Sequence, residues 1–262
     1  MKIDRLNRIK EILQESNTIS IDKLCAIFEV SKNTIRRDIN ELEKQDLIKK
    51  VYGGIMLKQN SGEPEPFASR EVKNSAQKKI VAKIAAGFIE DNDVIFIDSG
   101  TTTMHLIPYL SNIKNLTILT TSLHIINAAA NYPQFNIICT GGTFYHPSKA
   151  FIGASVLKCL DNYNISKIFL ASTGVSLENG ATNASPLECE TKKFMMGKNA
   201  PKILLIDSSK LELSSLMTFA QLKEFDDVII DKKPPQKYID YLENNDVKFY
   251  YNSDDTMTNS FR

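Results

Sequence analysis

The spacing of apolar residues changes character near residue 60, and no single fold accommodates both patterns. Before that point they recur three and four apart: Leu6, Ile9, Ile12 and Leu13, then Ile21, Leu24 and Phe28, then Ile35, Ile39 and Leu42. That is the period of short amphipathic helices. Beyond it, β-forming runs at residues 94–97, 116–119, 135–139, 167–171, 203–206, 228–230 and 247–251 alternate with helical stretches. Separations of 20–30 residues between most of them predict strand–helix–strand units and a mostly parallel sheet. Between the two textures, residues 58–66 are polar and rich in helix breakers, as a linker is. The expected organisation is therefore a helical head over 1–57, a linker over 58–69 and an α/β body over 70–262. The body is expected to open with one long helix, roughly residues 70 to 90.

Composition narrows the function classes. At 42% hydrophobic and 24% charged, the chain carries enough apolar residues for packed cores and is not a disordered tail. No apolar run approaches the roughly 20 residues of a membrane helix, and Met1-Lys2-Ile3-Asp4-Arg5 lacks a signal-peptide core. Cys25, Cys139, Cys159 and Cys189 are scattered, which reads as free thiols in a reducing cytoplasm. His105, His124 and His146 have no metal-ligand spacing, so neither metal nor cofactor is expected. Net charge is +1; residues 1–58 hold 12 Lys/Arg against 9 Asp/Glu, and the remainder 20 against 22. So small an asymmetry does not by itself declare a nucleic-acid binder.

The placement of the head's charges is more informative. Ser20 is positioned to cap a helix over residues 21–28, Glu29-Val30 to turn, and Ser31 to cap a third helix over about 32–45. Two helices joined this way form a helix-turn-helix, whose later helix enters a DNA major groove. At 100° per residue, Ile35, Ile39 and Leu42 define one face of that helix. Asn33, Arg37, Asn40 and Lys44 lie opposite, with Arg36 at the edge and Lys32 near the start. Arg suits guanine and Asn suits adenine, while Ser31, Thr34 and Tyr52 suit the phosphate backbone. Residues 47–56, with two lysines and Gly53-Gly54, read as a hairpin wing.

In the body, strand ends run into small polar loops. Asp98-Ser99-Gly100-Thr101-Thr102-Thr103 is the strongest: a strand opening onto a helix N-terminus offers N–H groups and hydroxyls to an anion such as phosphate. Thr120-Thr121-Ser122, Thr140-Gly141-Gly142 and Ser172-Thr173-Gly174 repeat the pattern, and Asp207-Ser208-Ser209-Lys210 adds carboxylate and cation. In a parallel sheet these ends converge on one edge.

Taken together, Arg8-Ile9…Ile12-Leu13, Phe28-Glu29-Val30-Ser31, Thr34-Ile35-Arg36-Arg37-Asp38-Ile39…Leu42 and Gly53-Gly54 resemble the DeoR family of bacterial transcriptional regulators. The resemblance continues past the linker. It implies a winged helix-turn-helix on operator DNA, most often as a repressor of a sugar-catabolic operon, with a sensor domain that binds a phosphorylated sugar. The sensor's implied fold is that of sugar-phosphate isomerases and CoA transferases, and its implied effector residues are Asp98, Gly100, Thr101, Thr102, Gly141, Gly142, Asp207, Ser209 and Lys210. Thr182, in Gly180-Ala181-Thr182, and Lys192 fall near the same pocket. The family commonly has Asn-Ser where this chain has Thr121-Ser122, which changes the chemistry at that corner. A single reading helix covers one half-site, so a homodimer or homotetramer is expected. The competing class is a sugar-phosphate isomerase or deaminase with an accessory head, with Asp98, Asp207 and Glu188 as candidate bases.

Overall fold

A computed structural model describes residues 2–16, 18–44, 48–51, 54–57 and 66–252. The chain divides into two compact units, Met1–Ser61 and Gly62–Arg262.

The first unit contains α1 (Lys2–Ser16), β1 (Thr18–Ser20), α2 (Ile21–Phe28), α3 (Lys32–Lys44), β2 (Ile48–Val51) and β3 (Gly54–Leu57). Ser20 caps α2 by accepting from Lys23 N–H, and α2 ends at Glu29 in the left-handed region. Ser31 Oγ accepts from Thr34 N–H at 3.3 Å at the start of α3. Leu6, Ile9, Leu13, Leu24, Ile35, Ile39 and Leu42 all fall in one buried cluster with Ile19, Ile48 and Ile55. The apolar period thus maps directly onto the core. One buried polar group joins it: Arg5 Nε and Nη2 donate to the two oxygens of Asp38, at 2.6 and 3.3 Å, tying α1 to α3.

The wing departs from the expected two-stranded hairpin. β1 pairs antiparallel with β3, and β3 with β2, giving the order β1-β3-β2. Gly54 is fixed by this third strand, since a Cβ there would collide with the Ile19 carbonyl oxygen. Tyr52 and Gly53 lie outside the described residues.

The second unit contains α4 (Phe67–Val72), α5 (Ser75–Ala86), β4 (Val94–Ile97), a 3-10 helix (Thr103–Leu110), β5 (Thr117–Thr120), α6 (Leu123–Ala129), β6 (Asn136–Cys139), a hairpin of β7 (Thr143–Tyr145) and β8 (Ala150–Ile152), α7 (Ala154–Asp161), β9 (Lys167–Ala171), β10 (Gly174–Ser176), β11 (Gly180–Asn183), α8 (Pro186–Met196), β12 (Lys202–Ile206), a 3-10 turn (Ser208–Lys210), β13 (Met217–Ala220), β14 (Asp227–Ile230), α9 (Gln236–Asn244) and β15 (Lys248–Tyr251). The seven strands expected from sequence form one sheet in the order β6-β5-β4-β9-β12-β14-β15, with every pair parallel. Alternate residues serve opposite faces. Ile95, Ile97, Phe169, Ile203 and Leu205 join one core with α5, the 3-10 helix and α6. Phe96, Ile168, Leu170, Leu204 and Ile206 join the other, with α7, α8 and α9.

Three expectations are corrected. The long helix over residues 70 to 90 is two helices, broken where Asn74 adopts φ 55°. Its first part, α4, reaches back into the expected linker, where Phe67 is buried. The segment after Thr102 is a 3-10 helix containing Pro108, because a proline there removes an α-helical donor and crowds the preceding turn. A small antiparallel sheet, β10-β11-β13, also has no counterpart in the sequence reading.

Gly54→Ala is expected to loosen the head alone. Hydrogen exchange on the full chain should accelerate at the amides of β1 and β3 while those of β4 and β12 stay unchanged. Equal protection in the variant would show that the close approach of β1 does not require glycine.

Candidate functional site

In the head, α3 presents Lys32, Asn33, Arg36, Arg37, Asn40 and Lys44 to solvent, while Ile35, Asp38, Ile39 and Leu42 are buried. The segregation expected from helical geometry is therefore present. Several of these groups already have partners. Lys32 Nζ is 2.5 Å from Asp22, and Lys50 Nζ of β2 donates to Asn40 Oδ1 at 2.7 Å and also bonds Glu43. Exposed pairs of this kind contribute little to stability, so a phosphate can replace the carboxylate at small cost. Ser31 and Thr34 share a hydroxyl contact at 3.1 Å, so both hydroxyls organise the N-terminus of α3. Arg36, Asn40 and Lys50 line a concavity between α3 and the wing.

In the body, strand order reverses between β4 and β9: β5 and β6 extend to one side, β12, β14 and β15 to the other. Such a switch point forms a crevice at the carboxyl ends of the strands. Registers place the loops together, because Ile97 pairs with both Thr120 and Phe169 and Leu205 pairs with Ala171. The loops holding Asp98–Thr103, Thr121–Ser122 and Asp207–Lys210 therefore leave the sheet along one edge, and Gly141–Gly142 follow from Thr120↔Cys139.

Hydrogen bonds sort the expected residues into two groups. Asp98 is buried; its Oδ2 accepts from Ala171 N–H at 3.1 Å and bonds Lys192 Nζ. Lys192 also donates to Ala171 O at 2.8 Å and lies over the Phe219 ring. Thr103 Oγ1 donates to the backbone of this loop, 2.6 Å from Asp98 O and 2.9 Å from Gly100 O. Ser122 caps α6. Thr182 Oγ1 donates to Gly174 O at 2.9 Å and accepts from Ser215 N–H at 2.8 Å, so its hydroxyl is engaged within the small sheet. These side chains build the site's frame.

Thr101, Thr102 and Thr121 form the other group: each is buried, yet none makes a side-chain hydrogen bond among the described residues. Asp207 Oδ1 accepts from Ser209 N–H and Asn74 Nδ2, both at 3.1 Å, whereas its Oδ2 is buried without a partner among the described residues. Ser209 bonds Asn74 Nδ2 at 2.8 Å, and Lys210 sits half-exposed in the same 3-10 turn. Gly100 is required by packing, since a Cβ there would collide with that of Ala171. Gly142 is required twice over, by its φ of 113° and because a Cβ would lie 2.7 Å from the Ile152 carbonyl oxygen. A separate apolar void near Val175, Leu211 and Tyr238, about 10 Å³, holds at most one water and is no ligand site.

Three features that border the site escaped the sequence reading: the Asn74 amide, the bond between Ser99 and Glu188, and the anchoring role of Lys192. Ser99 Oγ donates to Glu188 Oε1 at 3.2 Å. Burial pushes the Glu188 carboxyl above the usual range, Lys192 opposes this, Asp98 reinforces it, and Arg70 and Ser99 oppose it. Only the Ser185 cap and Pro186 at the start of α8 were visible signals that this helix is fixed at the crevice.

A raised carboxyl is largely protonated in both folded and unfolded chains at pH 4, so it costs little there. As pH rises, the unfolded chain ionises first and the folded state loses relative stability. Glu188→Gln is thus expected to raise the thermal midpoint at pH 8 and leave it nearly unchanged at pH 4. Parallel midpoints across that range would exclude the raised carboxyl.

Comparison with known proteins agrees with the geometry. Residues 5–60 match the DeoR-like helix-turn-helix domain, and residues 73–232 match the DeoR C-terminal sensor domain. The HTH-type transcriptional regulator IolR of Bacillus subtilis is 39% identical over 92% of this chain and 96% of its own length. The HTH-type transcriptional repressor GlcR of the same organism is 29% identical over 96% and 97%. A lactose phosphotransferase system repressor of Staphylococcus epidermidis is 30% identical over 90% and 94%. Among solved structures, ribose 5-phosphate isomerase A from Methanocaldococcus jannaschii is 20% identical with TM-score 0.39, over 53% of this chain and about half (55%) of its own. Among the described residues no helix is long and apolar enough to cross a membrane. With both domain models matched in order and relatives aligned over nearly their whole length, the chain belongs to the DeoR family of DNA-binding transcriptional regulators.

Proposed function

We propose that this regulator is a cytoplasmic repressor of a carbohydrate-catabolism operon, released from its operator by a phosphorylated sugar bound at the switch-point crevice. The head over 1–57 is the operator-binding domain, residues from 58 to about 66 the linker, and the remainder the effector domain. Relatives named as a lactose phosphotransferase system repressor and the repressor GlcR support the physiological setting. The observation that carries the effector reading is the set of hydroxyls without described protein partners on the largely buried residues Thr101, Thr102 and Thr121, on the same sheet edge as Asp207, whose carboxylate is half-satisfied and has its Oδ2 buried without a partner among the described residues. Buried polar groups are ordinarily paired; a phosphate ester accepts from hydroxyls, and sugar hydroxyls donate to a carboxylate. Gly141, Gly142, Ser209 and Lys210 complete the rim.

Release requires that effector bind the DNA-incompetent arrangement more tightly, since only differential affinity moves an equilibrium. Two or four copies, each reading one half-site, supply operator symmetry. On α3, Asn33, Arg36, Arg37 and Asn40 are assigned to base edges, and Lys32 and Lys44 to phosphates, with Tyr52 on the backbone side.

Two measurements test the reading. Arg37→Ala is expected to weaken operator binding by about 10- to 100-fold and relax sequence choice, whereas Lys44→Ala should lower the salt slope by about one unit. Anisotropy titrations with operator and scrambled duplex over a salt series measure both; equal losses on the two duplexes for Arg37→Ala would remove it from base reading. In thermal-shift screening, a fitting sugar phosphate should stabilise the body by about 2.7 kcal/mol at a hundred times its Kd. Thr101→Val should abolish that stabilisation with little effect on the unliganded midpoint, because its hydroxyl bonds nothing among the described residues. Undiminished stabilisation in the variant would place the effector elsewhere.

A further inference from the structure

Residues 66–74 join the linker to α5, and they reach both sides of the crevice. At one end Phe67, only 2% exposed, stacks on His124 of α6, with ring centroids 3.9 Å apart and planes within 6°. Its N–H donates to Pro147 O, in the β7–β8 turn, at 3.1 Å. At the other end Asn74 donates to both Asp207 and Ser209. Between them, the Arg70 guanidinium lies over the Phe67 ring at 5.6 Å, its carbonyl accepts from the buried Lys78 Nζ, and its charge acts on Glu188. Glu71 acts on His105 and His124. The segment is thus held at both ends by residues of the crevice loops and the helices that follow them.

The docking is imperfect. His124 Nε2, Ser148 Oγ and Asp207 Oδ2 are buried with no hydrogen-bond partner among the described residues; His124 and Asp207 are the very residues that hold the segment's two ends, and Ser148 follows Pro147. Unsatisfied buried polar atoms penalise the arrangement that buries them, so the docked segment is poised rather than locked. Asn74 adds a second constraint. Its φ of 55° is a conformation Asn tolerates better than most residues, and it places the amide on Asp207 at the residue that precedes α5.

We propose that residues 66–74 are a strap that couples occupancy of the crevice to the linker, and through it to the DNA-binding head. The proposal rests on the effector reading given above. A ligand hydroxyl that bonds the open Asp207 Oδ2 turns the same carboxylate whose Oδ1 holds Asn74, so binding shifts the strap, and the strap's N-terminal end is continuous with the linker. By linkage, operator binding must bias the strap in return. The coupling is carried by a stacked ring and a pair of amide hydrogen bonds, small enough to be broken together.

The test uses the full chain and an operator duplex selected from a random-sequence library. Asn74→Gly removes the amide while keeping the left-handed backbone available, and Phe67→Ala removes the stack. The probes are a panel of pentose and hexose phosphates, with inorganic phosphate as control. The wild type should lose operator affinity at least tenfold at saturating active sugar phosphate. Both variants should still be thermally stabilised by that compound, while their operator affinity changes less than twofold. A full tenfold response in both variants would overturn the strap. If no compound stabilises the wild type, the effector reading fails, and the strap is judged by hydrogen exchange alone. Exchange across amides 67–74 should differ at least fivefold between free and operator-bound protein, and identical rates would overturn it.

Discussion

The buried ion pair between Asp98 and Lys192 braces the sensor domain where its strand order reverses. Where strand order reverses, β4 and β9 are adjacent but their following helices depart to opposite faces, so nothing in the sheet itself fixes the loops between them. Asp98 closes the gap: its N–H donates to Phe169 O, its carboxylate accepts from Ala171 N–H, and Lys192 bonds both the carboxylate and Ala171 O. A charge pair this buried offsets its desolvation only when every remaining group is satisfied. On Lys192 the Phe219 face under the ammonium and the Ala171 carbonyl serve that need. The Gly100–Thr103 turn is then set by Thr103, whose hydroxyl bonds two carbonyls of the same loop.

That frame separates two uses of the same residue types. Ser, Thr, Gly and Asp cluster at all the strand ends, but Ser122, Ser172, Thr103 and Thr182 have their hydroxyls committed to caps, turns and sheet edges. Thr101, Thr102 and Thr121 have no such commitment among the described residues. Sequence alone cannot distinguish these groups, because a capping threonine and a ligand-binding threonine occupy the same local pattern. Only the partner decides, and it often comes from far along the chain, as Glu188 does to Ser99. Asp98 illustrates the point most sharply. The resemblance implies an effector contact at Asp98, and the structure adds a partner that no local pattern shows: its Oδ2 is engaged by Lys192 and Ala171.

The fold was more legible than the site. All seven strands of the main sheet were readable from their apolar runs: the five inner strands are buried on both faces, which leaves runs that polar loops interrupt, and the edge strands β6 and β15 keep such runs although they are only partly covered. Both helices of the DNA-reading pair were readable from period and caps, with Ile21–Phe28 and the start of α3 at Lys32 matching the sequence boundaries. What was missed depends on long-range geometry. The break at Asn74 sits inside a continuous helical pattern, and its side chain is held by Asp207 and Ser209. β1 is three residues long and owes its existence to β3, and β10-β11-β13 consists of short segments whose Gly and Thr residues read as loop.

Charge in the head sets how such a regulator must grip DNA. Affinity for the duplex scales with phosphates neutralised, and residues 1–58 have a net charge of only +3. Part of even that charge is internally compensated: Arg5 is committed to the buried Asp38, and Lys32 and Lys50 face Asp22 and Glu43. The latter two pairs are exposed and weak, so they can trade a carboxylate for a phosphate; Arg5 cannot without leaving Asp38 buried and unpaired. One head is therefore a poor non-specific binder, and on the proposed reading two or more must act together to hold an operator. Control then needs little force. On the same proposed reading, joint engagement supplies most of the affinity when the grip of each head is modest, and the proposed effector need only disturb that joint engagement, leaving α3 itself unchanged, to release the DNA.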